Sequence, residues 1–198
     1  MKQKETVEKK ELTAEVFEWM DVLVTAIVAV VILFTFVLRV ATIKGKSMQN
    51  TLLDGQRTVI SNWFYTPKQG DIVVVSRNVD NSVGEEAATP IIKRVIAVAG
   101  QTVDIDFQAG IVYVDGQALS EPYAKTPTNL SYDIEFPVRV PEGHIFCLGD
   151  NRNDSLDSRS SRIGDNGMID TRYVLGCAKY RIYPLNRFGR IDKETAHE

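Results

Sequence analysis

Only two histidines occur in these 198 residues, His144 and His197. His197 is next to last, a poor place for a rigid geometry, and His144 follows Pro-Glu-Gly at the start of a strand-like run, where a structural role suffices. A serine nucleophile in this chain would therefore have to give its proton to another base. Lysine can serve once burial disfavours the ammonium form and lowers its pKa from about 10.4. Lys93 is the lysine best placed for this, because the run IIKRVIAVAG embeds it in apolar, β-type surroundings while most other lysines lie in polar segments. In a strand Lys93 and Arg94 point to opposite faces, so one must enter the interior if the other meets solvent. Lys93 also reads as a charged gatekeeper on an edge strand.

Ser47 stands in residues 43–52 (IKGKSMQNTL), where Gly45 permits unusual backbone angles or a close approach by another chain. Taken alone it reads as a structural serine. Residues 148–159 (LGDNRNDSLDSR) are denser in hydrogen-bonding groups than a simple hairpin connection requires. A calcium loop starting at Asp150 needs Asp or Asn at its third position, where Arg152 stands, and lacks the turn glycine. Cys147 and Cys177 are too few for a disulfide framework and lack the paired spacing of a zinc site. They read as two buried apolar residues, with a single disulfide between them the alternative. Neither a metal nor another cofactor is expected.

The elements that must position these groups begin with a polar segment, residues 1–18, of interleaved lysine and glutamate. Residues 22–38 (VLVTAIVAVVILFTFVL) carry no charge, proline or glycine and as a helix span about 26 Å. With their flanks they predict a transmembrane helix over 19–41. A cleaved secretory signal has a shorter apolar region and an A-x-A-like site, absent after Arg39; a buried soluble helix is the other alternative. Basic residues before and after the span nearly balance, so charge alone does not orient it. From 42 to 192 short runs rich in Val, Ile and Tyr alternate with Gly, Pro, Asn and Asp, which predicts one mostly β domain, followed by a polar tail, 193–198. Asp115-Gly116 marks a type I′ hairpin within residues 110–119. Residues 78–90 and 120–131 read as irregular connections. The formal net charge of −3 provides no basic field for a nucleic acid.

Together the segments around Ser47, Lys93 and Ser155 resemble the type I signal peptidases, membrane-bound serine-lysine endopeptidases that remove signal peptides from exported proteins. Residues 45–52 (GKSMQNTL) resemble the family's G-x-S-M-x-P-T-L box, 70–74 (GDIVV) the following strand, Lys93-Arg94 the box holding the lysine base, and 149–159 the G-D-N-R-x-x-S-x-D-S-R box. Weaker likeness continues through 112–116 with 121–123, 140–143 and 183–189. The resemblance implies an antiparallel β domain of short strands behind one N-terminal transmembrane helix, with Ser47 as nucleophile and Lys93 as base. It implies that Ser155 holds the lysine amine in line, and that Asp157 and Arg159, with Asp150 and Arg152, form a charge network fixing the Ser155 loop. The Ser47 backbone amide is the expected oxyanion donor, since Gly45 offers no hydroxyl, and Met48 is expected to line a substrate pocket. The implied partners are secreted preproteins, bound as an added strand, and the lipid bilayer. A monomer is expected, with a short cytoplasmic N-terminus and the β domain on the outer face.

Two departures stand out: Asn50 replaces the usual proline, and 99–101 (AGQ) replace P-G-D. Proline fixes φ near −65°, so its loss just after the nucleophile is expected to loosen Ser47. These departures leave one competing reading, a non-catalytic membrane-tethered peptide-binding module. A soluble self-cleaving Ser-Lys regulator would instead carry a DNA-binding domain where the apolar run stands.

Overall fold

The computed structural model describes residues 2–32, 38–62, 65–76 and 90–191. The chain divides into two compact units, Met1–Arg39 and Val40–Glu198. The first contains helix α1 (Lys2–Ile32), in which every side chain described, from Glu15 to Ile32, is exposed. Its apolar part, residues 22–32, covers only about 16 Å of the roughly 30 Å that a bilayer core requires, and Glu15, Glu18 and Asp21 precede it. Among the described residues no helix is long and apolar enough to cross a membrane. Residues 33–37 of the expected span lie outside the described residues. Its last residues, 38–41, are not helical: they belong to strand β1 (Leu38–Thr42), whose β-branched Val40 and Thr42 suit an extended chain.

The second unit is built on two sheets. The larger uses β1, β2 (Arg57–Ser61), β3 (Ile72–Val75), β4 (Ile91–Val98), β9 (His144–Leu148), β10 (Ile169–Asp170), β11 (Val174–Tyr183) and β12 (Gly189–Arg190). Its order is β1-β2-β11-β3-β4-β9-β10, with β12 also paired to β11. The smaller has the order β7-β6-β5-β8, from β5 (Thr102–Asp106), β6 (Ile111–Val114), β7 (Gln117–Ala118) and β8 (Val138–Arg139). The pairings on either side of β4 are antiparallel. The expected mostly β, antiparallel unit is what forms. The hairpin closes as its sequence predicts, with Val114 opposite Gln117 and both Asp115 and Gly116 at positive φ.

Packing explains why β3 and β4 are apolar almost throughout. On β3, Ile72 and Val74 join one core cluster while Val73 and Val75 join another, so both faces are covered. A third cluster fastens the small sheet to the large one by joining Val103 and Val112 with Ile96, Phe146 and Leu148. β4 runs between β3 and β9, so Lys93 is not an edge-strand gatekeeper. Nor does either neighbour in the Lys93-Arg94 pair meet solvent: Lys93 is 4% exposed and Arg94 0%. Cys147 and Cys177 are both buried and not joined in a disulfide, which removes that alternative. Residues 120–131 are irregular, as expected; of residues 78–90 only Pro90 is described, and 193–198 and His197 lie outside the described residues.

Candidate active site

Ser47 is carried by a loop that leaves β1 and returns to β2. The loop is closed at its base by Ile43, whose amide donates to the Gln56 carbonyl at 2.8 Å and whose carbonyl accepts from Gly55 at 3.0 Å. Gly45 turns at φ 86° and its amide donates to the Asp54 carboxylate at 2.8 Å. Beyond Ser47 the chain winds into a turn, with the Thr51 and Leu52 amides on the Met48 carbonyl at 3.1 and 2.8 Å. Met48 and Leu52 pin this turn from below, buried beside Ile43, Ile60 and Ile72. Burial of such side chains contributes about 1.5–3 kcal/mol each. Met48, expected in a substrate pocket, is 1% exposed and occupied in that core packing.

Lys93 meets this loop from the centre of the large sheet. Its Nζ donates to Ser47 Oγ at 2.8 Å, joining positions 46 residues apart. The loop 149–159 closes over the pair. The Asn151 amide donates to the Ser47 carbonyl at 2.9 Å, and the Asn151 side chain to the Lys46 carbonyl at 3.2 Å. Gly149 lies so close that a Cβ there would come within 2.2 Å of Ser155 Oγ and 2.6 Å of the Ser47 carbonyl. Ser155 is buried, and its Oγ has no hydrogen-bond partner among the described residues. The tie expected between Ser155 and the lysine amine is therefore not made in this structure; the Ser155 hydroxyl rests over Gly149 instead.

Buried ion pairs hold these loops. Asp157 and Arg159 form a two-pronged pair at 2.8 and 2.9 Å, and Asp157 also accepts from the Gly149 amide at 3.0 Å. Arg159 donates to the carbonyls of Arg152 and Leu130 at 2.6 and 2.7 Å. Asp157 and Arg159, expected in a loop-fixing network, thus tie Leu130, Gly149 and Arg152 together. Asp150 and Arg152, by contrast, do not pair with each other. Asp150 takes a two-pronged contact from Arg94 at 2.8 and 2.7 Å and the Thr51 hydroxyl, while Arg152 pairs with Glu121 at 2.6 and 2.8 Å. Burial alone would lower the Arg152 guanidinium, but Glu121 holds it above its ordinary pKa. Next to the site, burial pushes the Cys147 thiol well up, Asp157 adds to the rise and Lys93 opposes it. Cys147 is thus a neutral thiol beside Lys93, not a rival nucleophile.

Sequence reasoning missed the part played by residues 121–125. Tyr123 lays its ring against the Arg94 guanidinium, 3.8 Å from its centre, and its carbonyl accepts from the Asn50 side chain at 3.1 Å. The Lys125 amide donates to the Asp150 carbonyl and its Nζ to Gln49 Oε1, each at 2.8 Å. The only signal was the weak Glu121-Pro122-Tyr123 likeness, which says nothing of these partners. His144, expected to be structural, starts β9 with Nδ1 2.9 Å from the Glu142 carbonyl oxygen.

A serine hydroxyl against a buried lysine amine, on a β scaffold, defines a site suited to serine hydrolase chemistry. The family model for signal peptidase, peptidase S26, matches residues 16–183. A probable signal peptidase I-1 of Synechocystis sp. is 37% identical over 182 residues, covering 90% of this chain and 88% of that one. A signal peptidase I of Bacillus licheniformis is 31% identical, over 89% of this chain and 93% of its own. Among solved structures, a signal peptidase I from Enterococcus faecalis V583 aligns at TM-score 0.42 and 28% identity, over 57% of this chain and 97% of that one. The chain belongs to the signal peptidase family, peptidase S26, and is a serine endopeptidase of the signal peptidase I type.

Proposed function

We propose that this protein cleaves signal peptides from secreted preproteins with Ser47 as nucleophile and Lys93 as general base, through an acyl-enzyme. The observation that carries the reading is the 2.8 Å contact between a 4%-exposed lysine amine and a serine hydroxyl. Water is largely excluded from Lys93, which favours the neutral amine over the ammonium. The neutral amine takes the proton of Ser47 Oγ as that oxygen bonds to the scissile carbonyl carbon. The proton then passes to the leaving amine as the peptide C–N bond breaks. Water gives a proton to the same amine as it attacks the ester carbonyl, and that proton passes to Ser47 Oγ as the ester C–O bond breaks. The Ser47 backbone amide donates to the developing oxyanion. Ser155, buried with its hydroxyl uncommitted, orients Lys93 when it carries the extra proton.

The tether belongs to the same reading. Residues 22–32 of α1 are exposed and carry no charge, a pattern suited to a lipid surround, and in the sequence the uncharged tract that begins at Val22 runs on to Leu38, the first residue of β1. It places the β unit at the outer membrane face, where a preprotein presents its cleavage region as an added strand.

The test is product mapping by mass spectrometry after the detergent-solubilised protein meets a preprotein. Cleavage after a small residue is expected, lost in both Ser47→Ala and Lys93→Ala. The rate should rise with pH as Lys93 loses its proton, with a maximum above neutrality; a flat profile from about pH 5 to 9 would exclude a lysine base.

A further inference from the structure

Asn50, three residues past the nucleophile, has φ 99°. Asp115 and Asn166 are the other described non-glycine residues with positive φ, and each stands beside a glycine in a tight turn. Asn50 has no such neighbour, so its backbone conformation needs another cause. A left-handed residue persists where its surroundings over-determine it, and here three successive side chains are held. Gln49 accepts from Lys125, Asn50 donates to the Tyr123 carbonyl, and Thr51 donates to Asp150. The segment carrying Tyr123 and Lys125 is itself fixed, by the Tyr123 ring on Arg94 and the Lys125 amide on the Asp150 carbonyl.

We propose that Asn50 is a positioning residue for Ser47: its carboxamide, clamped on the Tyr123 carbonyl, holds the turn after the nucleophile in a left-handed conformation that proline cannot adopt. This rests on Ser47 being the nucleophile. It reverses the expectation that the missing proline loosens the site. Proline requires φ near −65° and carries no carboxamide, so placing it at 50 would swing the backbone away from its observed angle and release Tyr123. Asparagine is also among the residues that tolerate positive φ best. In this chain it supplies by a side-chain clamp the rigidity that a ring would supply in a differently wound turn.

The test compares Asn50→Pro and Asn50→Gly with the unaltered full-length protein, reading kcat, KM and melting temperature on one preprotein, with Ser47→Ala alongside. Glycine accepts the observed φ but cannot make the clamp. Asn50→Gly is expected to lower kcat about tenfold with little change in KM or melting temperature, and Asn50→Pro to lower kcat/KM about 100-fold. An Asn50→Pro protein that folds and cleaves as well as the original, or better, would overturn the proposal. So would an Asn50→Gly protein with unchanged kcat, which decides the matter if the proline variant does not fold. Cleavage by Ser47→Ala, or none by the unaltered protein, would instead overturn the nucleophile and the inference with it; normal wild-type and Ser47→Ala behaviour with indifferent Asn50 variants would sink the inference alone.

Discussion

Position 149 has no room for a methyl group: a Cβ would stand 2.2 Å from the Ser155 hydroxyl and 2.6 Å from the Ser47 carbonyl. Both distances are far below van der Waals contact, and the second neighbour is backbone, so the nucleophile loop itself must shift. Gly149→Ala is therefore expected to lower kcat by about 100-fold, since displacements near 1 Å have that effect on positioned groups. The comparison of cleavage rates with the melting curve of the same variant checks this, and an unchanged rate would show that the Ser47 loop does not depend on this contact. The residues at the centre were the most legible from sequence. Lys93 stood out because charge is rare in an apolar strand, and Gly149 was visible within its box. What the sequence does not show is the reason for the glycine, which is the proximity of two atoms brought in by residues 47 and 155.

At the scale of elements, the large sheet presents Lys93 and the loops after β1 and β9 close on it. Arg94 and Asp150 join β4 to the second of these loops with both side chains fully buried. Removing one charge of such a pair leaves the other desolvated, at a cost of about 3–5 kcal/mol. Asp150→Asn should lower unfolding free energy by about that amount in a denaturant titration, and a loss below about 1 kcal/mol would mean that the other partners of Arg94, among them the Tyr123 ring and the Gly70 carbonyl at 3.0 Å, suffice to hold it. The resemblance implies that Asp150 and Arg152 belong to the charge network of the Ser155 loop, without naming their partners. Arg94 is 56 residues from Asp150, and Arg152 reaches Glu121 across 31. Such pairings depend on how loops fold over a sheet, which period and composition do not encode. The strands themselves were readable because alternation and turn residues are local signals. The start of β1 was not, since Leu38 is the last residue of the uncharged run and only Arg39 separates it from Val40 and Ala41.

At the scale of the whole molecule, charge placement fixes the response to acid. Hydrogen bonds from Ser161 hold the Asp133 carboxyl at about 2, and hydrogen bonds from Arg172 hold Asp170 at about 2, both from an ordinary 3.8. A carboxylate whose pKa is depressed on folding contributes stability above its unfolded value and loses it as pH falls through the folded one. Stability should thus hold level down to about pH 4 and decline between 3.8 and about 2. Melting temperatures measured across that range test this, and a decline beginning near pH 6 would point to other groups. The family was legible from the order of its boxes behind an apolar run.

Cys147 and Cys177 are buried and not joined in a disulfide, and they are the chain's only cysteines. With no crosslink between them, the fold neither gains strength in an oxidising space nor loses it in a reducing one. A β domain built this way reaches its working form on whichever side of a membrane it emerges, without an oxidase to complete it.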